Sequence, residues 1–215
     1  MIKIKEKIKR LVKSGSCLLF KAMNPSIRIA TGKDVLIRNV KVRAWGGNFL
    51  EIEQGVTLTH CRFLLHGHNN RIIIHKGARL NKTTFFTEYD NNMIEIGACT
   101  TTNANVHFEA CEGRKISVGE DCIFSINIAL RTSDYHSILN KEGMRTNRAK
   151  DITIGNHVWV GFDCSIMKGS MIEDNSIIAA GSMVTNSSKS KSSTLLAGMP
   201  AKPIREEISW SRKIL

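Results

Sequence analysis

Between Ile152 and Val184 the chain reads "ITIGNHVWVGFDCSIMKGSMIEDNSIIAAGSMV", with Ile154, Val160, Ile166, Ile172, Ile178 and Val184 spaced six apart. That step fits neither the helical 3.6 nor the strand alternation of two; it is the period of parallel β-helices, whose short strands wind into stacked triangular coils. The fourth residue after each anchor shares the inward corner and should be small; the chain supplies Val158, Cys164, Ser170, Ser176 and Ser182. Upstream, Ile52, Ile74, Ile96 and Val118 recur every 22 residues. Candidates follow six and twelve residues later: Leu58 and Leu64, Leu80 and Phe86, Thr102 and Phe108, Phe124 and Leu130, with Thr102 the polar member. Three six-residue sides and a four-residue excursion account for each turn. The echoes "LEIEQG", "IIIHKG", "IEIG", "ISVG" and "ITIG" place glycine at one corner, where a Cβ would obstruct the dihedral angles.

The pattern predicts an all-β parallel β-helix over 29–185, of about seven coils and roughly 30 Å tall at the inter-strand spacing. Residues 1–28 are expected to form a basic amphipathic helix and cap, with Ile4, Ile8, Leu11 and Val12 on one face. Residues 186–215 are expected to be a polar loop followed by a short helix after Pro203. The 22-residue rhythm breaks once: Val118 to Ile154 is 36 residues, one turn plus 14. The excess is the polar segment 131–151, "RTSDYHSILNKEGMRTNRAKD", which carries His136. An insertion that the core does not need is a natural place for chemistry, and an imidazole titrates in the range a general base requires.

A formal charge of +12 on 215 residues favours anionic partners such as phosphorylated cofactors, acidic polymers or a membrane surface. No nucleic-acid motif accompanies it. The six cysteines form no CxxC pair, and no stretch follows membrane-span or signal-peptide grammar, so a cytoplasmic protein with reduced thiols is expected. The basic N-terminal helix leaves open peripheral contact with the inner face of a bacterial inner membrane.

The motifs "IGNHVWVG", "IIAAGSMVT" and "LLAGMPAKPIRE" resemble the hexapeptide-repeat acyltransferases, and most nearly the bacterial capsule-modifying sugar O-acetyltransferases that act on sialic-acid polymers. The resemblance implies a left-handed parallel β-helix, a homotrimer, acetyl-CoA as donor, no metal, and an acidic carbohydrate acceptor. It implies His136 as the base that takes the acceptor hydroxyl proton, with Asp134 a secondary candidate for orienting it. It places Asn105 near the acceptor or reacting groups, and Trp159 on the acceptor side. Gly161, Ala180 and Ser182 match positions along the pantetheine groove; Lys202 and Arg205 match residues that meet the phosphates of coenzyme A. Structural roles compete at each: a corner for Asn105, a staple between subunits for Trp159, coil packing for the small residues, a solvated surface for the cations. Ser137 stands where many relatives have proline.

Other readings remain at this stage. The same machinery could N-acetylate an amino or nucleotide sugar. A zinc hydrase would need three converging histidines, for which His66, His68 and His107 are candidates. A non-catalytic β-helix that binds an anionic polymer would make the His136 loop ornamental.

Overall fold

The computed structural model describes residues 27–214, which form 21 strands and no helix. Each coil runs through three faces. Phe49–Ile52, Thr57–Thr59 and Arg62–Leu65 make one coil, and the first, second and third faces stack such strands in parallel. Seven strands line up on the first face, from Arg28–Thr31 to Met171–Ile172. The strands Thr101–Cys111 and Ile123–Arg131 pass through the corner between the second and third faces. The expected N-terminal helix lies outside the described residues.

The anchors Ile154, Val160, Ile166, Ile172, Ile178 and Val184 all point into the common interior, and the five expected corner residues are buried with them. Thr102 fits because its hydroxyl meets Thr83 Oγ1 at 2.6 Å and accepts the Asn81 N–H at 3.0 Å. The third face departs from the expected phase. In the early coils the buried residues are Phe63 and Phe85, so Leu64 and Phe86 face outward. Register explains the slip: Phe85 pairs with both Phe63 and Phe108, so the inward step is five residues from Leu80 but six from Thr102. The rings of Phe63, Phe85 and Phe108 stack at 4.8 and 5.4 Å, each contact adding ~1 kcal/mol beyond burial.

The glycine echoes also occupy two positions rather than one. Gly55 and Gly77 have φ of 70° and 69°, in the left-handed region. Gly97 and Gly119 are needed for proximity instead: a Cβ on Gly97 would lie 2.2 Å from the Gly119 carbonyl oxygen, and one on Gly119 2.5 Å from that of Gly155.

At the corner between the third and first faces, Asn48, Asn70 and Asn92 are buried in a ladder. Asn48 Oδ1 accepts the Asn70 N–H at 2.9 Å, Asn70 Oδ1 the Asn92 N–H at 2.8 Å, and Asn92 Oδ1 the Arg114 N–H at 3.1 Å. Across the insertion the sense reverses: Asp151, on the later coil, accepts the Lys115 N–H of the earlier one through Oδ1 at 2.9 Å. On the outside of the first face, His75 bridges Glu53 at 2.9 Å and Glu95 at 3.0 Å, and Lys115 pairs with Glu95 at 2.7 Å.

The C-terminal segment is not the expected helix. Leu195–Gly198 and Ala201–Arg205 form an antiparallel hairpin across a cis Met199–Pro200 bond, because the last coil still has an unpaired edge to cover. Residues 206–214 then run down the corner between the first and second faces as an irregular strap. Trp210 stacks on His157 at 3.9 Å and donates Nε1–H to its carbonyl at 2.8 Å. Arg212 reaches Asp121 at 2.7 Å and the Cys122 carbonyl at 3.1 Å.

Asn92→Ala should strip the part-buried Arg114 N–H of its acceptor and leave the Glu88 and Tyr89 carbonyls without the Asn92 amide donor, lowering unfolding free energy by about 1–3 kcal/mol; urea denaturation reads the shift. Burial opposes the His75 imidazolium, but hydrogen bonds to Glu95 and Glu53 outweigh it and raise the pKa above 6.5. Its stabilisation is complete below the unfolded pKa and fades as pH rises through the folded one. The Lys115 and His75 hydrogen bonds hold Glu95 below 4.5, and the His75 bond does the same for Glu53, so their contribution is lost as pH falls. Thermal unfolding should therefore show this cluster at its strongest between about pH 4.5 and 6.5, and His75→Gln should flatten the alkaline limb.

Candidate active site

Segment 131–151 leaves the third face at its far corner and closes on itself, the Lys150 N–H donating to the Thr132 carbonyl at 3.0 Å. Two ion pairs pin it to the coil. Arg145 makes a two-pronged contact with Glu112, Nη1 to Oε2 at 2.6 Å and Nη2 to Oε1 at 2.8 Å, and this bond holds the Glu112 carboxyl down at about 2. Lys168 Nζ bonds Asp134 Oδ2 and the Asn147 carbonyl, the latter at 3.0 Å. Asn147 Nδ2 in turn donates to Asp134 Oδ2 at 2.7 Å and to the His136 carbonyl at 2.8 Å. Burial would raise the Asp134 pKa, but Lys168 and Asn147 outweigh it and keep the carboxylate ionised.

The result is an anchored backbone beneath an exposed His136 side chain. Among the described residues its imidazole has no hydrogen-bonding partner. Asp134 does not orient the ring within the chain: it is engaged by Lys168 and Asn147, and its work is to place the loop.

Asn105 lies at the corner between the second and third faces with φ of 52°, as the corner reading of it predicts, and its side chain is also engaged. Asn105 Oδ1 meets His107 Nε2 at 2.9 Å, and its Nδ2 donates to Asn127 Oδ1 at 2.9 Å, while Asn127 donates to Asp163 at 2.8 Å. His107 Nδ1 lies 3.6 Å from Glu109, which accepts from Tyr135 Oη at 2.8 Å and from Arg131 Nε at 2.9 Å. A polar chain thus crosses the third face from Asn105 to Tyr135, the neighbour of His136. Burial works against the Glu109 charge, and His107, Tyr135 and Arg131 more than offset it.

Trp159 sits on the second face, 40% exposed, with Nε1–H directed at Ser125 Oγ at 3.4 Å and the Trp210 ring 6.3 Å away. Its register partners Ile123 and Ile177 continue that face. Within one chain, Trp159 and the His136 loop therefore occupy different faces. Gly161 and Ala180 meet at the same corner as Asn105; a Cβ on Gly161 would lie 2.7 Å from the Ala180 nitrogen, so the small residue is demanded by stacking. Ser182 points inward instead of lining a groove: it is 1% exposed, and its Oγ accepts the Gly198 N–H at 3.2 Å. Lys202 and Arg205 are exposed on the terminal hairpin, with Lys202 opposite Ala197, one coil beyond Ala179.

Spacing did not point to Glu112, Arg145, Lys168, Glu109 or Tyr135. Their contacts join residues 21 to 34 apart across the insertion, where the repeat arithmetic is interrupted.

The family model for the bacterial transferase hexapeptide (six repeats) matches residues 151–186. A polysialic acid O-acetyltransferase of Escherichia coli O1:K1 / APEC is 36% identical over 141 residues, covering 65% of this chain and 44% of that protein. One from Neisseria meningitidis is 43% identical over 70 residues, 32% of this chain and 33% of its own length. The chain thus spans less than half of these curated relatives. The solved structure of the polySia-specific acetyltransferase NeuO superposes with a TM-score of 0.72 at 30% identity, over 87% of this chain and 79% of that one. The chain belongs to the hexapeptide-repeat transferase family. In this hexapeptide-repeat transferase the family model covers the regular late coils, whereas the match to NeuO extends over most of the chain.

Replacing Arg145 with alanine should remove one of the two ion pairs under the loop and leave the coils intact. Hydrogen exchange across 132–150 should accelerate by about tenfold or more, the equivalent of ~1.4 kcal/mol of local stability, while amides of Ile94 and Ile116 keep their protection.

Proposed function

We propose that the protein is an O-acetyltransferase that moves acetyl from acetyl-CoA to a hydroxyl of a sugar in an anionic capsular or surface polysaccharide, sialic acid foremost, with His136 as general base. The observation that carries this reading is the His136 loop itself, held by Glu112–Arg145 and Asp134–Lys168 yet leaving the imidazole bare. The relatives named as polysialic acid O-acetyltransferases support both the reaction and the acceptor class.

In the proposed reaction the neutral imidazole accepts the acceptor hydroxyl proton as that oxygen bonds to the thioester carbonyl carbon. The tetrahedral intermediate carries an oxyanion, which backbone N–H groups of an adjacent subunit can stabilise. Collapse breaks the carbon–sulfur bond, and the imidazolium returns its proton to the departing thiolate. The residues fit the donor: Gly161 and Ala180 leave a shallow corner for an extended arm, and Lys202 and Arg205 sit beyond it to meet phosphates. Ser182 has no part in that groove.

Because His136 and Trp159 lie on different faces of one prism, a site that uses both draws them from two chains. A homotrimer supplies three such grooves by cyclic symmetry. Acetyl-CoA places the reaction in the cytoplasm, and the basic N-terminus suits the inner face of the inner membrane.

His136→Ala should lower kcat by about 100- to 10,000-fold, the usual contribution of a general base, with the KM for acetyl-CoA nearly unchanged. Thiol release with polysialic acid as acceptor measures the rate, and NMR locates the new ester. A variant that turns over at the wild-type rate, or a wild-type monomer with full activity, would refute the shared-site mechanism.

A further inference from the structure

The third face carries a second constellation that acetyl transfer itself does not use. On the coils below the loop its outward positions hold Lys41, Arg43 and Arg62, with Lys41 opposite Arg62 and Arg43 opposite Leu64. Beside them runs a file of rings. Trp45 stacks on His66 at 5.5 Å and 23°, His66 meets Phe86 edge-on at 5.4 Å, and Phe86 lies 6.4 Å from Tyr135. Tyr135 directly precedes His136, so the file ends at the foot of the loop.

The one-residue slip on this face is what turns Phe86 outward. Trp45, at the head of this file of rings, is 58% exposed. The three cations are exposed as well. Among the described residues none of them pairs with a carboxylate, and Arg62 donates to Thr84 Oγ1 from Nε at 3.3 Å and from Nη2 at 3.2 Å. Of the acids on this side, Glu109 is engaged by Tyr135 and Arg131 and Asp90 by the His68 backbone, while Glu88 lies two residues beyond Phe86 on the same strand. Rings that succeed one another coil by coil suit the apolar faces of successive sugars, and unpaired cations alongside suit their carboxylates.

We propose that Trp45, Phe86, Lys41, Arg43 and Arg62 form a track that binds an anionic polysaccharide across several sugar residues and leads one of them to His136. Delivery to His136 rests on the O-acetyltransferase reading; binding of the polymer does not. The track makes the acceptor a chain rather than a free sugar.

The test uses the full chain carrying His136→Ala, which can bind without turnover, titrated with long polysialic acid and with a sialic acid trimer. Trp45→Ala, and the pair Arg43→Glu with Arg62→Glu, should each weaken polymer binding by about tenfold or more, as loss of charge-assisted and stacking contacts predicts. Binding of the trimer should move less than twofold, and the charge-conserving pair Arg43→Lys with Arg62→Lys should restore most of the polymer affinity. With His136 present, the same changes should raise the KM for polymer and leave kcat and the KM for acetyl-CoA in place. Unchanged polymer binding, or equal losses for polymer and trimer, overturns the track. So does a shift in sedimentation of the variants, which would make the patch a subunit contact, or equally strong patch-dependent binding of single-stranded DNA. A wild-type protein that binds polymer through these residues yet transfers no acetyl would refute the O-acetyltransferase reading and leave the track standing.

Discussion

Every coil of this protein must satisfy its backbone N–H and C=O groups through the coil above and the coil below, and that requirement governs the rest of the structure. On the flat faces the parallel ladders meet it automatically. At the corners the chain has to turn while staying in step, and side chains then complete the pairing: the ladder of Asn48, Asn70 and Asn92, with Asp151 bonding back across the insertion. Asp151 ties the chain to the coil below where the loop re-enters. The fixed coil on either side gives the loop its two anchors, Glu112 below and Lys168 above.

The spacing of branched apolar residues made the β-helix legible, because inward positions in this fold tolerate little besides small and apolar groups. It made the insertion legible for the same reason, as an interruption in a count. The count assumed equal sides, however, and a side of five residues from Leu80 to Phe85 is invisible to a rule of six. Ser182 belonged to the inward series by spacing and to a groove by resemblance; burial follows the spacing. The terminal hairpin was missed because its cause is an exposed edge, a property of the assembled stack and of no local pattern. Contacts such as Asp134 with Lys168 were unreadable because an irregular loop has no period from which to project a partner.

Charge is distributed with purpose on this surface. The first face neutralises itself in the row Glu53, His75, Glu95 and Lys115. The third face divides: near the loop, Glu109 and Glu112 are tied to Arg131 and Arg145, while further down, among the described residues, Lys41, Arg43 and Arg62 pair with no carboxylate and lie beside aromatic rings.

The strap that carries Trp210 and Arg212 gives the column a property that stacked coils alone lack. A solenoid held only by nearest neighbours can fray from either tip, one layer at a time. Here the final layer is lashed to the layers of His157 and Asp121 well beneath it, so the upper layers cannot peel away singly without tearing the lashing. The platform that bears Lys202 and Arg205 is thereby tied to the middle of the molecule.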